Sequence, residues 1–364
     1  MPIHFSFERW EAIREAYRAW WAGELRRPLF HVRLDGLDPG RPEPVLPHYD
    51  FTSFYDLSVP AEQIVDRWDY SLSKLRFLGD AFPCIWPNFG AGVLAAFLGA
   101  RVNNGSDTTW FHPPEEREVG DVPLAFDPAN VWFRRILEVM RAAMDRWQGL
   151  VQVGMTDLGG NLDILSTFRP GKRLLLDLYD RPDDVKRQTW RVHEEWWRCF
   201  EEFNRVLQPR NPGYTAWTPI YSAEPYYMLQ CDFCYMISPK MFDEFVKPEL
   251  AASCRRLGNA FYHLDGPGEL PHLDSLLEIE ELKGVQWVPG AGNPDIDQWP
   301  EVYRKIRKAG KLIQIWHGKG QDGRWYIDVL ADQLGSPDGI IVMGGGSIKE
   351  EDEVMEMLER YDAV

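Results

Sequence analysis

The sequence is short of cysteine, of long apolar runs and of positive charge. Its five cysteines, an odd number in 364 residues, disfavour a disulfide framework and favour a reducing cytoplasm. The longest apolar stretch, Gly90 to Ala100, is too short to span a bilayer, and we expect no signal peptide before the first amphipathic helix. With 40 basic and 56 acidic residues, the net charge of -16 disfavours nucleic acids and anionic membranes as partners.

Apolar and aromatic residues are abundant instead. They make up 45% and 13% of the chain, with 16 tryptophans, which is enough for a large core. We find no low-complexity linker and no clear repeat that would divide the chain. One domain over residues 1–364 is therefore expected, with residues 1–27 as an N-terminal helical extension and residues 104–122 as a further elaboration.

Strand-length apolar runs alternate with segments of helical period. The predicted strands are Leu29–Leu34, Phe82–Trp86, Leu150–Met155, Thr215–Ile220, Ala260–Leu264, Val285–Val288, Leu312–Trp316 and Gly339–Met343. Helix start signals lie at Arg181-Pro182 and Ser238-Pro239, and an acidic helix is predicted over residues 348–361. Eight strands separated by helix-length segments favour an α/β fold of the (β/α)8 TIM barrel type, with a doubly wound open sheet as the alternative.

The segment from Phe261 to Gly266 carries the strongest chemical signal. It delivers His263 and Asp265 to the end of a buried strand, just before Gly-Pro-Gly. Residues i and i+2 of a strand point to the same side, so the imidazole and the carboxylate can converge on one ligand. Such a pair is half of a metal site or an acid–base pair. The structural alternative is a histidine satisfied by nearby backbone and an aspartate that caps the helix near Pro271.

Polar or aromatic residues also follow nearly all of the remaining predicted strands. They are Arg33, Trp86, Asn88, Asp157, Trp217, Tyr221, Glu224, Tyr226, Gln286, Trp287, Trp316 and His317. In a barrel the active site lies at these carboxyl ends, and no comparable set precedes the strands, so the pattern favours an enzyme. The aromatic members predict a pocket for an organic molecule with a flat or bulky apolar part. Structural roles remain open for Asp157 and His317 as helix caps and for Glu224 as a solvated loop acid.

Two further motifs give weaker signals. Cys231 and Cys234 form one Cys-x-x-Cys pair, but no further soft ligands lie at zinc-finger spacing and no thioredoxin-like context surrounds it, so we interpret both as buried thiols. The triple glycine at 344–346 follows a strand and precedes a helix, where it could receive an anion. It is not a P-loop, because no Gly-Lys-Ser/Thr follows.

Several segments in order resemble the uroporphyrinogen decarboxylase superfamily, over roughly residues 150–364. They are Asp157 to Asp163, Met236 to Pro239 with Phe242 and Phe245-Val246, Phe261 to His263 with Gly266, and Gly284 to Trp287. The resemblance implies a (β/α)8 barrel. The superfamily includes the tetrapyrrole decarboxylase, cobalamin-dependent methyltransferases with a catalytic zinc, and a related methionine synthase branch.

The branches of the superfamily differ in their site residues. The decarboxylase has two arginines near its first strand; Arg33 matches the first, but Leu37 replaces the second, and Asn88 stands where the family has an aspartate. Uroporphyrinogen is therefore not the expected substrate. In the methyltransferases a His-x-Cys pair and a later cysteine hold zinc. Here His263 matches the histidine, Asp265 replaces the first cysteine, and a glycine at 344 or 345 replaces the second.

These replacements suggest a site with hard ligands for zinc or manganese. The first hypothesis is a metal-assisted methyltransferase in which His263, Asp265 and Glu224 bind the metal. Asp157, His317 or His263 would transfer protons, and the methyl group of a small substrate would pass to a corrinoid on a partner protein. The second is a metal-free decarboxylase or lyase in which Arg33 holds a carboxylate and His263 with Asp265 moves protons. The third is a non-catalytic protein that binds a tetrapyrrole or corrinoid. The resemblance also suggests a homodimer.

Overall fold

A computed structural model describes residues 3–364, so the first two residues of the predicted N-terminal extension lie outside the described residues. Strands and helices alternate along most of the chain. The strands are β1 (Leu29–Asp35), β2 (Leu75–Gly79), β3 (Cys84–Ile85), β4 (Arg101–Asn104), β5 (Thr109–His112), β6 (Gln152–Val153), β7 (Tyr226–Leu229), β8 (Asn259–Asp265), β9 (Leu282–Val288), β10 (Leu312–Trp316) and β11 (Ile340–Ser347). The helices are α1 (Arg9–Trp21), α2 (Ala61–Ser73), α3 (Leu94–Phe97), α4 (Val131–Trp147), α5 (Asn161–Phe168), α6 (Arg173–Asp180), α7 (Pro182–Leu207), α8 (Pro239–Phe245), α9 (Lys247–Arg256), α10 (Leu273–Leu277), α11 (Pro300–Lys308), α12 (Tyr326–Leu334) and α13 (Glu351–Arg360).

In the described part of the chain, the main sheet has seven strands in the order β2-β1-β11-β10-β9-β8-β7. Every pair in it is parallel except β1 with β2. A separate parallel pair joins β3 to β6, and β4 with β5 forms an antiparallel hairpin. This arrangement confirms the predicted α/β class. Because parallel strands end at one edge, residues that follow β7, β8, β9 and β10 meet on the same side of the molecule.

The strand predictions were mostly correct in position. The predicted strand over Thr215–Ile220 was wrong, since that segment is irregular and the strand that pairs with β8 is Tyr226–Leu229. The Tyr226 hydroxyl lies 2.9 Å from the Thr218 hydroxyl, so the two apolar segments pack together. The last strand continues through the triple glycine, whose residues pair with β1, instead of ending before it.

Helix α1 covers the amino-terminal ends of the strands. Trp10 donates its indole N–H to the carbonyl oxygen of Leu150, just before β6, at 3.1 Å. Trp20 is 1% exposed and its ring stacks on Phe261 of β8 with centroids 5.9 Å apart. The indole of Trp21 donates to the carbonyl oxygen of a residue that precedes β7. Since this end is filled by large aromatic rings, the carboxyl ends remain for a binding site.

The buried hydrophobic side chains form one continuous core from Ile3 to Ala363. Within residues 3–364, no helix combines the length and apolarity needed to cross a bilayer. A polar row runs through the sheet, however, because His263, Gln286 and Gln314 stand side by side on β8, β9 and β10. Both glutamines are completely buried. Buried polar side chains need hydrogen-bond partners. We therefore expect a functional site at the neighbouring ends of these strands.

Candidate metal centre and adjoining cleft

Three side chains converge at the carboxyl ends of β7 and β8. Asp232, His263 and Asp265 each offer one ligand atom, and these atoms all lie within 4.8 Å of one another. His263 and Asp265 share a face of β8, as their i, i+2 spacing predicts. Asp232 begins the 3-10 helix Asp232–Met236 that follows β7. Pairing of β7 with β8 therefore assembles the cluster from two separate stretches of sequence.

The imidazole of His263 is held in a defined orientation. Its Nδ1 is hydrogen-bonded to Oε1 of Gln286, its neighbour on β9. A carbonyl oxygen only accepts, so Nδ1 carries a proton, and in the neutral imidazole the lone pair of Nε2 is left free. Nε2 lies 4.0 Å from Oδ2 of Asp265, and Trp217 meets the imidazole edge-to-face with ring centroids 5.2 Å apart. This is the arrangement in which a histidine binds a metal.

The carboxylate of Asp232 lies among other acids. Asp163 accepts hydrogen bonds from the backbone N–H groups of Asp232 (3.1 Å) and Phe233 (2.7 Å), which fixes the start of the 3-10 helix. Burial, with a contribution from Asp232, raises the pKa of Asp163 to about 7. Asp232 keeps an exposed edge, yet the surrounding protein removes enough water from its carboxyl to raise its pKa. Nearby Asp265 raises that pKa further, while His263 lowers it.

Two more buried acids lie close enough to interact with this group. Asp157, which is 6% exposed, accepts from the Gly159 N–H at 2.9 Å, and burial raises its pKa to about 7. Glu269 is 1% exposed, and burial, reinforced by Asp232, raises its pKa to about 9. Both shifts arise first from burial and second from neighbouring acids, so the charged forms of these carboxyls are disfavoured. A cation bound at the cluster would favour the charged forms.

The ligand atoms have the chemistry of a divalent-ion site. Nitrogen and oxygen ligands lie about 2.1 Å from zinc, so two of them on one ion are at most about 4 Å apart. The three atoms lie within 4.8 Å of one another, so binding of one ion by all three would require the side chains to move closer together. One imidazole and two carboxylates suit zinc or manganese. Three protein ligands also leave a position for substrate or water, as in catalytic sites.

A cleft of about 380 Å³ adjoins the cluster and shares Asp232 with it. One wall is the β4–β5 hairpin, a second is α5, and a third is the 3-10 helix after β7. Its lining comprises Ala91, Gly92, Thr108, Thr109, Trp110, Phe111, Gly159, Asp163, Ile164, Ser166, Thr167, Gln230, Asp232, Phe233 and Met236. The cleft is within the size range of small-molecule sites.

Arg33 lies in a different cavity of about 410 Å³, next to His48 and the last glycines of β11. Arg33 pairs with Gly345, and a Cβ atom on that glycine would lie 2.7 Å from the Arg33 carbonyl oxygen. Glycine is therefore needed for β11 to approach β1 this closely. The helix start after Ser347 is already satisfied, because Ser347 and Glu350 form a reciprocal capping box. The glycines thus serve strand packing here.

The structure corrects the prediction that Glu224 is a metal ligand. Glu224 precedes β7, and a Cβ atom on Gly258, just before β8, would lie 2.5 Å from the Glu224 Cβ. Glu224 is therefore at the amino-terminal ends of the two strands, whereas His263 and Asp265 are at the carboxyl end of β8. Asp232 takes its place in the cluster.

Tyr221, Tyr226 and Trp287 also lie away from the site. Tyr221 packs against Trp10 of α1 with centroids 5.9 Å apart, and Tyr226 is completely buried beside the same helix. Trp287 is 1% exposed and packs edge-to-face on Trp299. Their predicted role as substrate contacts is corrected, because each ring fills the core between the sheet and a neighbouring element.

The remaining predicted residues near the strand ends differ in burial and in the partners that they contact. Asn88 donates to the Asp50 carbonyl oxygen at 3.0 Å, so it holds a loop in place. Trp86 is half-buried and Trp316 is exposed. His317 stacks on Trp325 with centroids 4.7 Å apart, and burial lowers the pKa of His317, so its neutral form is favoured.

The sequence alone did not identify Asp232 as a candidate ligand, although the Cys-x-x-Cys pair around it was recognised. Cys231 and Cys234 flank it, and both thiols are free and completely buried. Burial raises the pKa of Cys234 to about 11, so it stays protonated near neutral pH. The signal that could have identified this candidate ligand is the acid between the cysteines, just after an apolar strand.

The place of the cluster at the ends of β7 and β8, and the chemistry of its donor atoms, are the basis for assigning a function. Resemblance to proteins of known activity adds nothing beyond the segments described above. No model of a protein family matches the chain, and no relative emerged from a comparison with curated proteins.

Proposed function

We propose that the protein is a metal-assisted enzyme that acts on a small organic molecule. Asp232, His263 and Asp265 would hold the ion. The observation that carries this proposal is the approach of their three ligand atoms to within 4.8 Å at the carboxyl ends of neighbouring parallel strands. The hydrogen bond from His263 to Gln286, which presents Nε2 as a ligand, supports it.

A divalent ion bound there, zinc or manganese, would act as a Lewis acid toward an oxygen or nitrogen of the substrate. The protein's own residues would orient the substrate and manage protons. Burial raises the pKa of Asp157 to about 7, so about half of these carboxyls carry a proton at neutral pH, and Asp157 is the candidate general acid. Trp217 covers one side of His263 and limits the access of water.

The specific reaction we propose is transfer of a methyl group from the substrate to a corrinoid carried by a separate partner protein. This choice rests on the segments that resemble the cobalamin-dependent methyltransferases. The replacement of their cysteine ligands by Asp265 and a glycine favours a substrate that binds through oxygen or nitrogen, since carboxylate-rich sites prefer harder ligands than thiols.

We also infer that the β3–β6 pair closes the main sheet into a (β/α)8 barrel. The described strands β1, β3, β6, β7, β8, β9, β10 and β11 would then be its eight parallel members, and antiparallel β2, which pairs with the edge of β1 opposite β11, would lie where β1 and β3 meet. Cys84 of β3 has its sulfur 3.9 Å from Nε2 of His31 on β1. On the other side, Met155 donates its backbone N–H to Thr215 at 2.9 Å, between β6 and β7. An experimental structure with β3 remote from β1 would contradict this inference.

The test is elemental analysis of tag-free protein purified without chelator. We expect about one zinc, manganese or similar ion per chain, and its loss in Asp232→Ala, His263→Ala and Asp265→Ala. Glu224→Ala is the matched control, because it removes a carboxylate at the opposite ends of the same strands, and it should retain the metal. A protein that contains no metal and takes none up on titration would overturn the proposal. Equal metal loss in Glu224→Ala and His263→Ala would also count against it.

A second candidate is a metal-free decarboxylase or lyase for a small carboxylic acid. It is favoured by the separate cavity of about 410 Å³ that contains Arg33. Arg33 would hold the carboxylate, as guanidinium groups commonly do. In that case Arg33→Met would abolish turnover of small acids by chelator-treated protein, whereas Asp232→Ala would retain it. The reverse pattern would support the metal-assisted enzyme.

A further inference from the structure

The cleft beside the metal cluster has a distinctive lining. Among the described residues that form it, acids and acceptors are present, but there is no lysine, arginine or histidine. Asp163 and Asp232 supply two carboxyl groups, of which Asp163 already accepts the backbone N–H groups of Asp232 and Phe233. Such a site repels anions and favours a ligand that carries positive charge or donates hydrogen bonds.

The polar side chains between these acids reinforce the same preference. Gln230 is 5% exposed and lines the cleft, and its Oε1 is buried without a hydrogen-bond partner among the described residues. A buried, unpaired carbonyl oxygen is costly unless a ligand supplies a donor. Ser166 donates its hydroxyl proton to the Asp163 carbonyl oxygen at 2.7 Å, and Thr167 contacts the same oxygen. Their hydroxyl oxygens are therefore left as acceptors.

The remaining walls are apolar and aromatic. Trp110 of β5 is 60% exposed, and Phe111, Phe233 and Met236 line the cleft with it. The hairpin is held in place, since the Thr109 hydroxyl lies 2.7 Å from the Ser53 hydroxyl. Aromatic faces attract cations and also accommodate methyl groups. A bare metal ion would make little use of these walls, whereas an alkylated cation would use all of them.

We propose that this cleft binds an alkylammonium group of the substrate. The proposal rests on the function proposed above, because Asp232 belongs both to the cleft and to the cluster that it forms with His263 and Asp265. An ammonium group in the cleft would place an oxygen a few bonds away toward His263. The substrate class is thus a small compound that combines a methylated or otherwise alkylated ammonium group with an oxygen donor.

Choline and its neutral isostere 3,3-dimethylbutan-1-ol are the matched probes. Isothermal titration would be done on the full chain, once metal-loaded and once with chelator. We expect choline to bind at least fivefold more tightly than the isostere, because only choline gains from the carboxylates and the aromatic faces. Equal binding of the two compounds, or binding of neither, would overturn the proposal.

Two variants test whether choline binds in this cleft. Trp110→Ala should weaken choline binding about two- to fivefold, the usual range for a partly exposed cation–π contact, and leave binding of the isostere less affected. Gln230→Leu should also weaken it, while Gln230→Glu should retain or strengthen it. Trp190→Ala, which removes an exposed tryptophan on α7 outside the cleft, is the control. Unchanged choline affinity in both Trp110→Ala and Gln230→Leu would overturn the assignment.

The two proposals fail in different ways. Full metal occupancy without choline binding would overturn the ammonium site and leave the metal-assisted function standing. Choline binding by chelator-treated protein that takes up no metal would support the ammonium site and overturn the metal-assisted function.

Discussion

His263 donates its Nδ1 proton to Oε1 of Gln286, the residue directly beside it on the next strand. This hydrogen bond fixes both the tautomer and the orientation of the imidazole, because rotation of the ring would break it. The bond lies inside the sheet, where Gln286 is completely buried. The ligand nitrogen at the cluster is thus set by a residue that would not itself contact the metal.

Replacement of Gln286 by leucine should weaken metal binding about 10- to 100-fold, the usual effect of removing a partner that orients a ligand histidine. The shape of the side chain is largely kept, so the fold should persist. Competition titration with a fluorescent zinc chelator measures the effect.

Gln314 offers the matched control for this experiment. It is the next residue in the same row and completely buried, but neither of its amide atoms has a hydrogen-bond partner among the described residues. Gln314→Leu should leave metal affinity unchanged and should not destabilise the protein, since an unpaired buried amide is removed. Equal effects of the two substitutions would mean that Gln286 does not act through His263.

Asp157 should make the free energy of unfolding depend on pH. Below about pH 4 the carboxyl is protonated in both states. Between about pH 4 and pH 7 it ionises in the unfolded chain but stays protonated in the fold, where burial raises its pKa to about 7. Rising pH therefore favours unfolding across this window, by about 4 kcal/mol in total, and the loss levels off above it.

Asp157→Asn should remove the Asp157 contribution to this dependence, because the amide does not titrate and its oxygen can still accept from the Gly159 N–H, while the contributions of Asp163 and Glu269 remain. Urea unfolding at pH 5 and pH 8 is the measurement: relative to the unmodified protein, the variant should gain clearly more stability at pH 8 than at pH 5. The exposed Asp121 gives the control, Asp121→Asn, which should leave the profile unchanged. A variant that is destabilised equally at both pH values would refute the assignment.

Gly284 should not tolerate a side chain. A Cβ atom there would lie 2.1 Å from the ring of Phe261 on β8. Phe261 cannot retreat, since Trp20 and Trp21 of α1 pack against it at 5.9 and 5.6 Å. Gly284→Ala should cost about 1–3 kcal/mol of unfolding free energy by overpacking, measured by urea unfolding. The double variant Phe261→Leu with Gly284→Ala should recover part of that loss, and an additive loss would argue against a direct clash.

Arg169 and Asp177 form a buried, two-pronged ion pair, with 2.6 Å between Nε and Oδ2. Their side chains are 9% and 7% exposed. Asp177→Ala would leave the guanidinium without its main partner, so we expect about 3 kcal/mol of destabilisation in a thermal or urea melt. The comparison is Glu301→Ala, which breaks the exposed pair with Arg304 and should cost well under 1 kcal/mol. Similar costs would show that burial does not set the strength of the first pair.

Local patterns in the sequence were sufficient for some of these features. The β8 strand and the shared face of His263 and Asp265 follow from an apolar run and the two-residue period of a strand. The α/β class follows from the alternation of strands and helices. The barrel, the metal and the reaction stay predictions.

Other features depend on contacts between distant segments. Thr215–Ile220 and Tyr226–Leu229 are both apolar, and only pairing with β8 selects the second as the strand. That choice also decides which acid joins the candidate cluster, because it puts Glu224 before the strand and Asp232 after it. No local signal distinguishes these two acids. The triple glycine was predicted to follow the strand and to receive an anion at a helix start, but it belongs to β11, and its role is set by the close approach of β1.

Asp232 lies at the boundary between the cluster and the cleft, and one carboxylate there serves both. If metal binding changes its orientation or charge, the affinity of the cleft for a cation changes by some factor. Thermodynamic reciprocity requires the cation to change metal affinity by the same factor. Metal binding and cation binding would then be coupled equilibria. The concentration of the cation would change the apparent affinity of the protein for the metal ion.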